Sequence, residues 1–305
     1  MADVTEAIRP ERGMICRRKP RTLNCRPLSP RLARSPILLS GIILLCAILL
    51  VCTAVLSNSG RASTPLPSKR TLRVMSYNIH VGVGMDKRLD LQRIADVIKQ
   101  EKPDLVGLQE VDRGVKRTEG KDEIAELAKM TEMHSAFAHN IDFQGGQYGV
   151  AILSRYPITS TEHRKYENKR VAERRGMLRV EVNVAGRTLN FVTTHLDYQY
   201  ADSRLFETEQ LLKFLEGVKG PLIVTGDFND EPNGSSYQLM LGGFEDSWLR
   251  SRAKGDGLSY PADKPVKRID YIFTAPRTVK AKRAWIVNTL ASDHLPLVAD
   301  VEIRW

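Results

Sequence analysis

Eight polar residues stand at or beside the polar ends of otherwise apolar runs: Asn78, Glu110, His195, Asp227, Asn229, Asp270, Asp293 and His294. The runs read RVMSYNIH, DLVGLQEV, FVTTHL, IVTGDFN, RIDYIF and ASDHLPLVADVEI. Singly, each residue has an ordinary explanation. Asp227 with Asn229 resembles an Asx turn, His195 a satisfied core histidine, Asp270 a partner for Arg268, and Asp293-His294 a turn before a strand. Together they make a chemical kit. Carboxylates and amides are hard oxygen ligands for Mg²⁺ or Mn²⁺, and imidazoles stabilise charge or move protons. Hydrolysis of a phosphate ester needs such a set: an ion neutralises a phosphate oxygen, a base positions water, and donors hold the transition state. His80, two residues after Asn78, is a further candidate for the same edge.

These groups meet only if the apolar runs are strands whose polar ends share one sheet edge. TLRVMSYNI (71–79), DLVGLQEV (104–111), and the runs beginning at Tyr148, Thr188 and Pro221 read as apolar strands. Further strands are expected at 268–273, around 278–288 and at 297–303. LDLQRIADVIKQ (89–100) places Leu91, Ile94, Ala95 and Ile98 on one helical face, with Asp90 as N-cap. Helices are also expected over 122–132 and 203–216. Hairpins are expected at 177–195 and 269–303. Without strict βαβ alternation, the pattern favours mixed sheets covered by helices over a doubly wound parallel fold.

The chain has 305 residues and net charge +10, unevenly spread. Residues 1–70 hold 12 Lys/Arg against 3 Asp/Glu, a net of +9, which leaves +1 for the rest. The basic pI therefore belongs to the N-terminal tail, and the main domain lacks the general positive field of a nucleic-acid binder. All four cysteines, Cys16, Cys25, Cys46 and Cys52, precede residue 53. Disulfide stapling, thiolate metal sites and cysteine nucleophiles are thereby excluded from the main domain.

From Ile37 to Leu56 there are 20 residues without a charge. That length suits one helix across a hydrocarbon core of ~30 Å, and it exceeds the ~7–15 apolar residues of a secretory signal. Nine Lys/Arg precede it within residues 1–34. The expected organisation is a basic cytoplasmic tail (1–36), a transmembrane signal anchor (37–56), a Ser/Gly/Pro-rich tether (57–69) and a catalytic domain (70–305) across the plasma membrane.

The motifs SYNIH (76–80), LQEVD (108–112), YGVAILSR (148–155), TTHLD (193–197), GDFND (226–230), RIDYIF (268–273) and SDHLP (292–296) occur in the order of the endonuclease/exonuclease/phosphatase superfamily. The chain resembles that superfamily, which includes deoxyribonucleases, abasic-site endonucleases, neutral sphingomyelinases and inositol-polyphosphate 5-phosphatases. The resemblance covers nearly all of 71–305 and is sharpest to a bacterial branch related to the C-terminal domain of proteins that remodel glycosylphosphatidylinositol lipids. It implies a four-layer α/β sandwich: two mixed, mainly antiparallel sheets face to face, with helices outside. By the resemblance, Glu110 is the principal metal carboxylate, Asn78 its supporting amide and Asp293 a further acid near the metal. His195 contacts the scissile phosphate and Asn229 binds it. Asp227 orients or deprotonates the water, and Asp270 orients His294. The implied cofactor is Mg²⁺ or Mn²⁺.

The resulting expectation is a membrane-anchored phosphodiesterase acting on a phospholipid headgroup or related small molecule. The alternative, a nuclease, draws on HRKYENKRVAERR (163–175), with six Lys/Arg against two Glu. A solvated loop or hairpin face accounts for the same run. A catalytically inactive interaction module is the third reading, disfavoured because every site position is filled.

Overall fold

A computed structural model describes residues 69–305; the expected tail, the membrane segment and the tether up to residue 68 lie outside the described residues, and Lys69 already belongs to the first strand. Among the described residues no helix is long and apolar enough to cross a membrane. The strands are β1 (Lys69–Asn78), β2 (Leu105–Arg113), β3 (His134–Phe143), β4 (Gly146–Ser154), β5 (Ile158–Lys165), β6 (Gly176–Val184), β7 (Arg187–His195), β8 (Leu222–Asp227), β9 (Glu245–Asp246), β10 (Asp270–Thr274), β11 (Val279–Ile286) and β12 (Leu297–Arg304). They form two six-stranded sheets, ordered β11-β12-β1-β2-β4-β3 and β5-β6-β7-β8-β10-β9. Each sheet has one parallel pair at its centre, β1/β2 and β7/β8, and is otherwise antiparallel.

Successive residues on a strand face opposite ways, and the central strands are apolar on both faces. Val74, Ile152, Phe191, Ile223 and Ile272 fill the space between the sheets. Their neighbours Met75 and Leu153 meet the helix layer of α1 (Leu91–Glu101) and α2 (Glu123–Thr131). Val192, Val224 and Phe273 meet α3 (Ala201–Leu215) and α4 (Ser235–Leu241). The order of layers is helix, sheet, sheet, helix, as the family resemblance implied. The Asp90 side chain caps α1 by accepting from the Gln92 and Arg93 N–H groups, and the helix ends at Lys102 (φ +53°), just before Pro103.

Gly107 sets how closely the sheets approach. A Cβ there would lie 2.0 Å from Thr225 Oγ1 on β8 and 2.8 Å from Thr193 Oγ1 on β7. The two halves also share a device behind their central strands. Glu123 of α2 accepts the N–H of Asp112 at 2.7 Å, and Glu207 of α3 accepts that of Asp197 at 2.7 Å. Burial pushes Glu123 up to about 8 and Glu207 up to about 7, with the backbone bonds opposing.

One expectation is corrected. Residues 177–195 form the β6/β7 hairpin, but 269–303 do not form one: β10 pairs with β8 in one sheet, while β11 and β12 pair in the other. A short two-residue β9 and the helix α5 (Ser247–Ser251) also lie along this second half.

Candidate active site

Strand register brings the site together. In the second sheet His195 stands opposite Asp227, and Asp227 opposite Asp270, so three of the predicted residues lie abreast on β7, β8 and β10. In the first sheet Asn78 is abreast of Gln109. The Asn78 amide joins the sheets, its Nδ2 donating to Asp227 Oδ2 at 3.0 Å and to Glu110 Oε1 at 3.1 Å. Glu110 has φ +57° and falls where the β2/β4 register shifts between Leu108 and Val111. A left-handed, non-glycine residue in a bulge is strained, and here it re-aims a carboxylate out of the strand into the cleft. Asn229 is also left-handed (φ +49°), and its N–H closes a turn onto Asp227 Oδ1 at 2.9 Å.

Asp227 is the hub. Its Oδ2 lies 3.6 Å from His195 Nε2 and 3.6 Å from His294 Nε2. His294 Nδ1 bonds Asp270 Oδ2 at 2.8 Å, and the Tyr260 ring packs on the imidazole at 4.7 Å between centroids. His195 Nδ1 faces Arg175 Nη1 at 2.9 Å, while its Nε2 faces Asn229 Nδ2 at 3.1 Å. Burial pushes Asp227 up to about 7; Asp270 adds to this, while His294 and the Asn78 amide oppose it. For His294, burial opposes the charge, but the carboxylates of Asp270 and Asp227 outweigh it and raise the group to about 10. Burial, then the Arg175 and His294 charges, hold His195 well below the usual imidazole range. The two imidazoles are thus pushed in opposite directions, His294 toward its cation and His195 toward the neutral ring.

All eight predicted residues meet at this edge, with Glu110, Asn229 and Asp293 partly exposed and the other five buried. His80 takes a lesser place: its Nδ1 bonds Val83 O at 3.0 Å and lies 3.7 Å from Asp293 Oδ1. Three contributors were missed. Ser292 ties the last loop to β1, donating to Asn78 O at 2.7 Å and accepting the His294 N–H at 3.3 Å. Tyr260 lies in a stretch without strand or helix pattern. Arg175 was hidden in the basic run 163–175; it is 3% exposed, ion-paired to Glu173 at 2.9 Å, and far from a solvated loop residue.

The cleft encloses about 640 Å³. Its carboxylates, Glu110, Glu173, Asp227, Asp230, Glu231 and Asp293, stand among the cations Arg117, Arg175, Arg204 and Lys267 and the raised imidazole of His294. The donor set, carboxylate and amide oxygens without sulfur, fits a hard divalent ion. Asp227, Asp270 and His294 are close enough to form one ligand cluster. Since His294 Nδ1 is engaged by Asp270, we read that trio as a hydrogen-bonded Asp270–His294 pair with Asp227 Oδ2 3.6 Å from its other nitrogen. Glu110, with Asn78 and Asp293, is the side of the cleft that would hold an ion.

Comparison with known proteins agrees with this geometry. The chain is 28% identical over 252 residues to YbhP of Escherichia coli K12, an uncharacterised protein, covering 76% of this chain and 97% of YbhP. It is 24% identical over 180 residues to a putative neutral sphingomyelinase of Drosophila melanogaster, covering 52% of this chain and 39% of that protein. A solved endonuclease/exonuclease/phosphatase from Beutenbergia cavernae superposes with a TM-score of 0.61 at 26% identity, over 77% of this chain and 72% of that one. The family model described as endonuclease/exonuclease/phosphatase matches residues 75–294, a range that includes every predicted site residue from Asn78 to His294. The chain therefore belongs to the endonuclease/exonuclease/phosphatase family, a family of phosphate-ester hydrolases.

Proposed function

We propose that this protein is a divalent-metal-dependent phosphodiesterase that hydrolyses a phospholipid headgroup or a related small phosphodiester. The observation that carries the reading is the geometry of Asp227, buried with its Oδ2 3.6 Å from both His195 Nε2 and His294 Nε2 and 3.0 Å from the Asn78 amide. Asp227 takes a proton from the water that attacks phosphorus. The His294 imidazolium, oriented by Asp270, faces the charge that grows as the ester P–O bond breaks. His195 and Asn229 hold a phosphoryl oxygen. Mg²⁺ or Mn²⁺, held by Glu110 with Asn78 and Asp293, would supply Lewis-acid neutralisation of the phosphate.

The lipid assignment draws support from the putative sphingomyelinase relative and from the uncharged stretch 37–56, which we take as an anchor placing the domain outside the cytoplasm. The nuclease reading is weaker. Of the six cations in 163–175, Arg164, Arg170 and Arg175 are already in ion pairs, with Glu162, Asp202 and Glu173.

The test is hydrolysis of bis-p-nitrophenyl phosphate, phospholipid vesicles and duplex DNA by the full-length protein in Mg²⁺. Activity on the first two that disappears with EDTA and in Glu110→Ala is expected. Activity surviving both treatments eliminates the metal-assisted reading, and cleavage of DNA alone replaces the lipid one.

A further inference from the structure

We propose that Arg175 is a positioning residue that fixes the ring proton of His195 on Nε2, making this imidazole a fixed hydrogen-bond donor rather than a proton carrier. The proposal builds on the phosphoester reading of the cleft, but its test reads the proton directly.

The geometry is simple. A guanidinium has five N–H donors and no acceptor. Arg175 Nη1 is 2.9 Å from His195 Nδ1, so that nitrogen must offer its lone pair. The single proton of the neutral ring then sits on Nε2, which faces the cleft. His294 is set the opposite way: Asp270, an acceptor, stands 2.8 Å from its Nδ1 and demands a proton there. One imidazole is governed by a cation and the other by a carboxylate, and the two rings are given different tasks.

A competing arrangement exists. Asn229 Nδ2 lies 3.1 Å from His195 Nε2 and donates to Leu196 O at 3.1 Å. If the amide donated to Nε2, the proton would move to Nδ1 and point at the Arg175 guanidinium. A buried, charge-assisted bond is roughly twice as strong as a neutral one. The Arg175 contact is therefore the one kept. Arg175 is 3% exposed, held by Glu173, and its carbonyl accepts the Tyr166 N–H at 2.9 Å. The next residue, Gly176, is paired with His195 across β6/β7 and has no room for a Cβ, with Arg164 O at 2.6 Å. By contrast Asn229 is partly exposed.

With Nε2 protonated, the His195 N–H lies beside the Asn229 amide, and the nearest carboxylate oxygen, Asp227 Oδ2, is 3.6 Å away, beyond hydrogen-bond reach. A phosphoryl oxygen accepts from both. The donor pair is formed before substrate arrives, which is the arrangement that lowers a barrier most effectively.

The experiment is long-range proton–nitrogen correlation of the full-length protein carrying ¹⁵N-histidine, at neutral pH, with His195→Gln to assign the ring. Wild type should show the neutral Nε2–H form. Arg175→Met should lose that preference, with kcat down on the order of 10²-fold, as for one lost oxyanion donor, and KM little changed. Arg175→Lys, which keeps a buried donor, should retain the form and recover part of kcat. A cationic or Nδ1–H ring in wild type overturns the proposal, as does an unaltered Nε2–H ring in Arg175→Met whatever its kcat. Should Arg175→Met not fold, wild type and Arg175→Lys decide by the same spectra. Because the ring reports its proton with or without turnover, loss of this proposal and loss of the phosphodiesterase reading are separable.

Discussion

Gly107→Ala tests whether the approach of the two sheets sets the catalytic geometry. The added methyl would sit 2.0 Å from Thr225 Oγ1 and 3.0 Å from Thr193 Cβ. Carbon contacts settle near 3.5 Å, so a gap of roughly 1.5 Å would have to open between β2 and β8. Overpacking of this kind costs about 1–3 kcal/mol, and the depth of overlap here argues for the upper end. At roughly 2–4 °C per kcal/mol, the melting temperature should fall by about 6–12 °C. The same opening would stretch the 3.0 Å bond from Asn78 to Asp227 beyond hydrogen-bond length, so turnover should fall in protein that is still folded. Thr225→Ala removes the obstructing oxygen and its 2.9 Å bond to Val192 O, at a cost near 1 kcal/mol. The double variant should be more stable than the sum of the singles by 1 kcal/mol or more and should regain turnover. Denaturant melts and kcat on all four proteins supply the cycle. Additivity within about 0.5 kcal/mol, or an unmoved Gly107→Ala melt, would refute the reasoning.

Asp270→Asn removes the first-named charge that raises His294 to about 10 against its burial. A charge pair at ~4 Å and an effective dielectric of ~20 is worth about 4 kcal/mol, or roughly 3 pK units, so the alkaline limb of the kcat profile should move down toward neutrality. An unmoved limb would show that His294 does not act as a cation. Addition of Mg²⁺ at 100 times its dissociation constant should stabilise the protein by about 2.7 kcal/mol in thermal melts. Glu110→Gln should abolish that shift, and an equal shift in the variant would move the ion away from Glu110. Glu123→Gln should gain stability relative to wild type as pH rises. Its carboxyl has a folded value of about 8 against 4.5 ordinarily, so its favourable contribution is complete below 4.5 and is lost on the way up through 8. The difference should reach a few kcal/mol at most, and parallel melts at pH 5 and 9 that show none would discount the burial argument.

The site was legible because its groups lie at or beside the ends of strong apolar runs. Strands buried on both faces leave little doubt about where they stop, and the polar residue at the stop marks the edge. The α1 boundaries were equally plain from Asp90 and Pro103. What escaped notice had weaker patterns. The edge strands β3 and β5 are half-exposed without clean alternation, as in His134–Phe143 and ITSTEHRK, so no periodicity announces them. The β10–β12 segment misled because strand adjacency in sequence does not say which sheet a strand joins. Arg175 escaped because a buried cation inside a basic run looks like its exposed neighbours; only the register of Gly176 against His195 reveals what it touches.

The direction of β1 bears on which changes in the chain disturb the site. The strand enters at Lys69 and reaches the cleft at Asn78, a path of about 30 Å at ~3.3 Å per residue. Lys69 therefore marks the end of β1 opposite the cleft. The chemistry and the chain's entry into the domain thus lie at opposite ends of one central strand, so a change at Lys69 leaves the cleft untouched unless it shifts β1 itself.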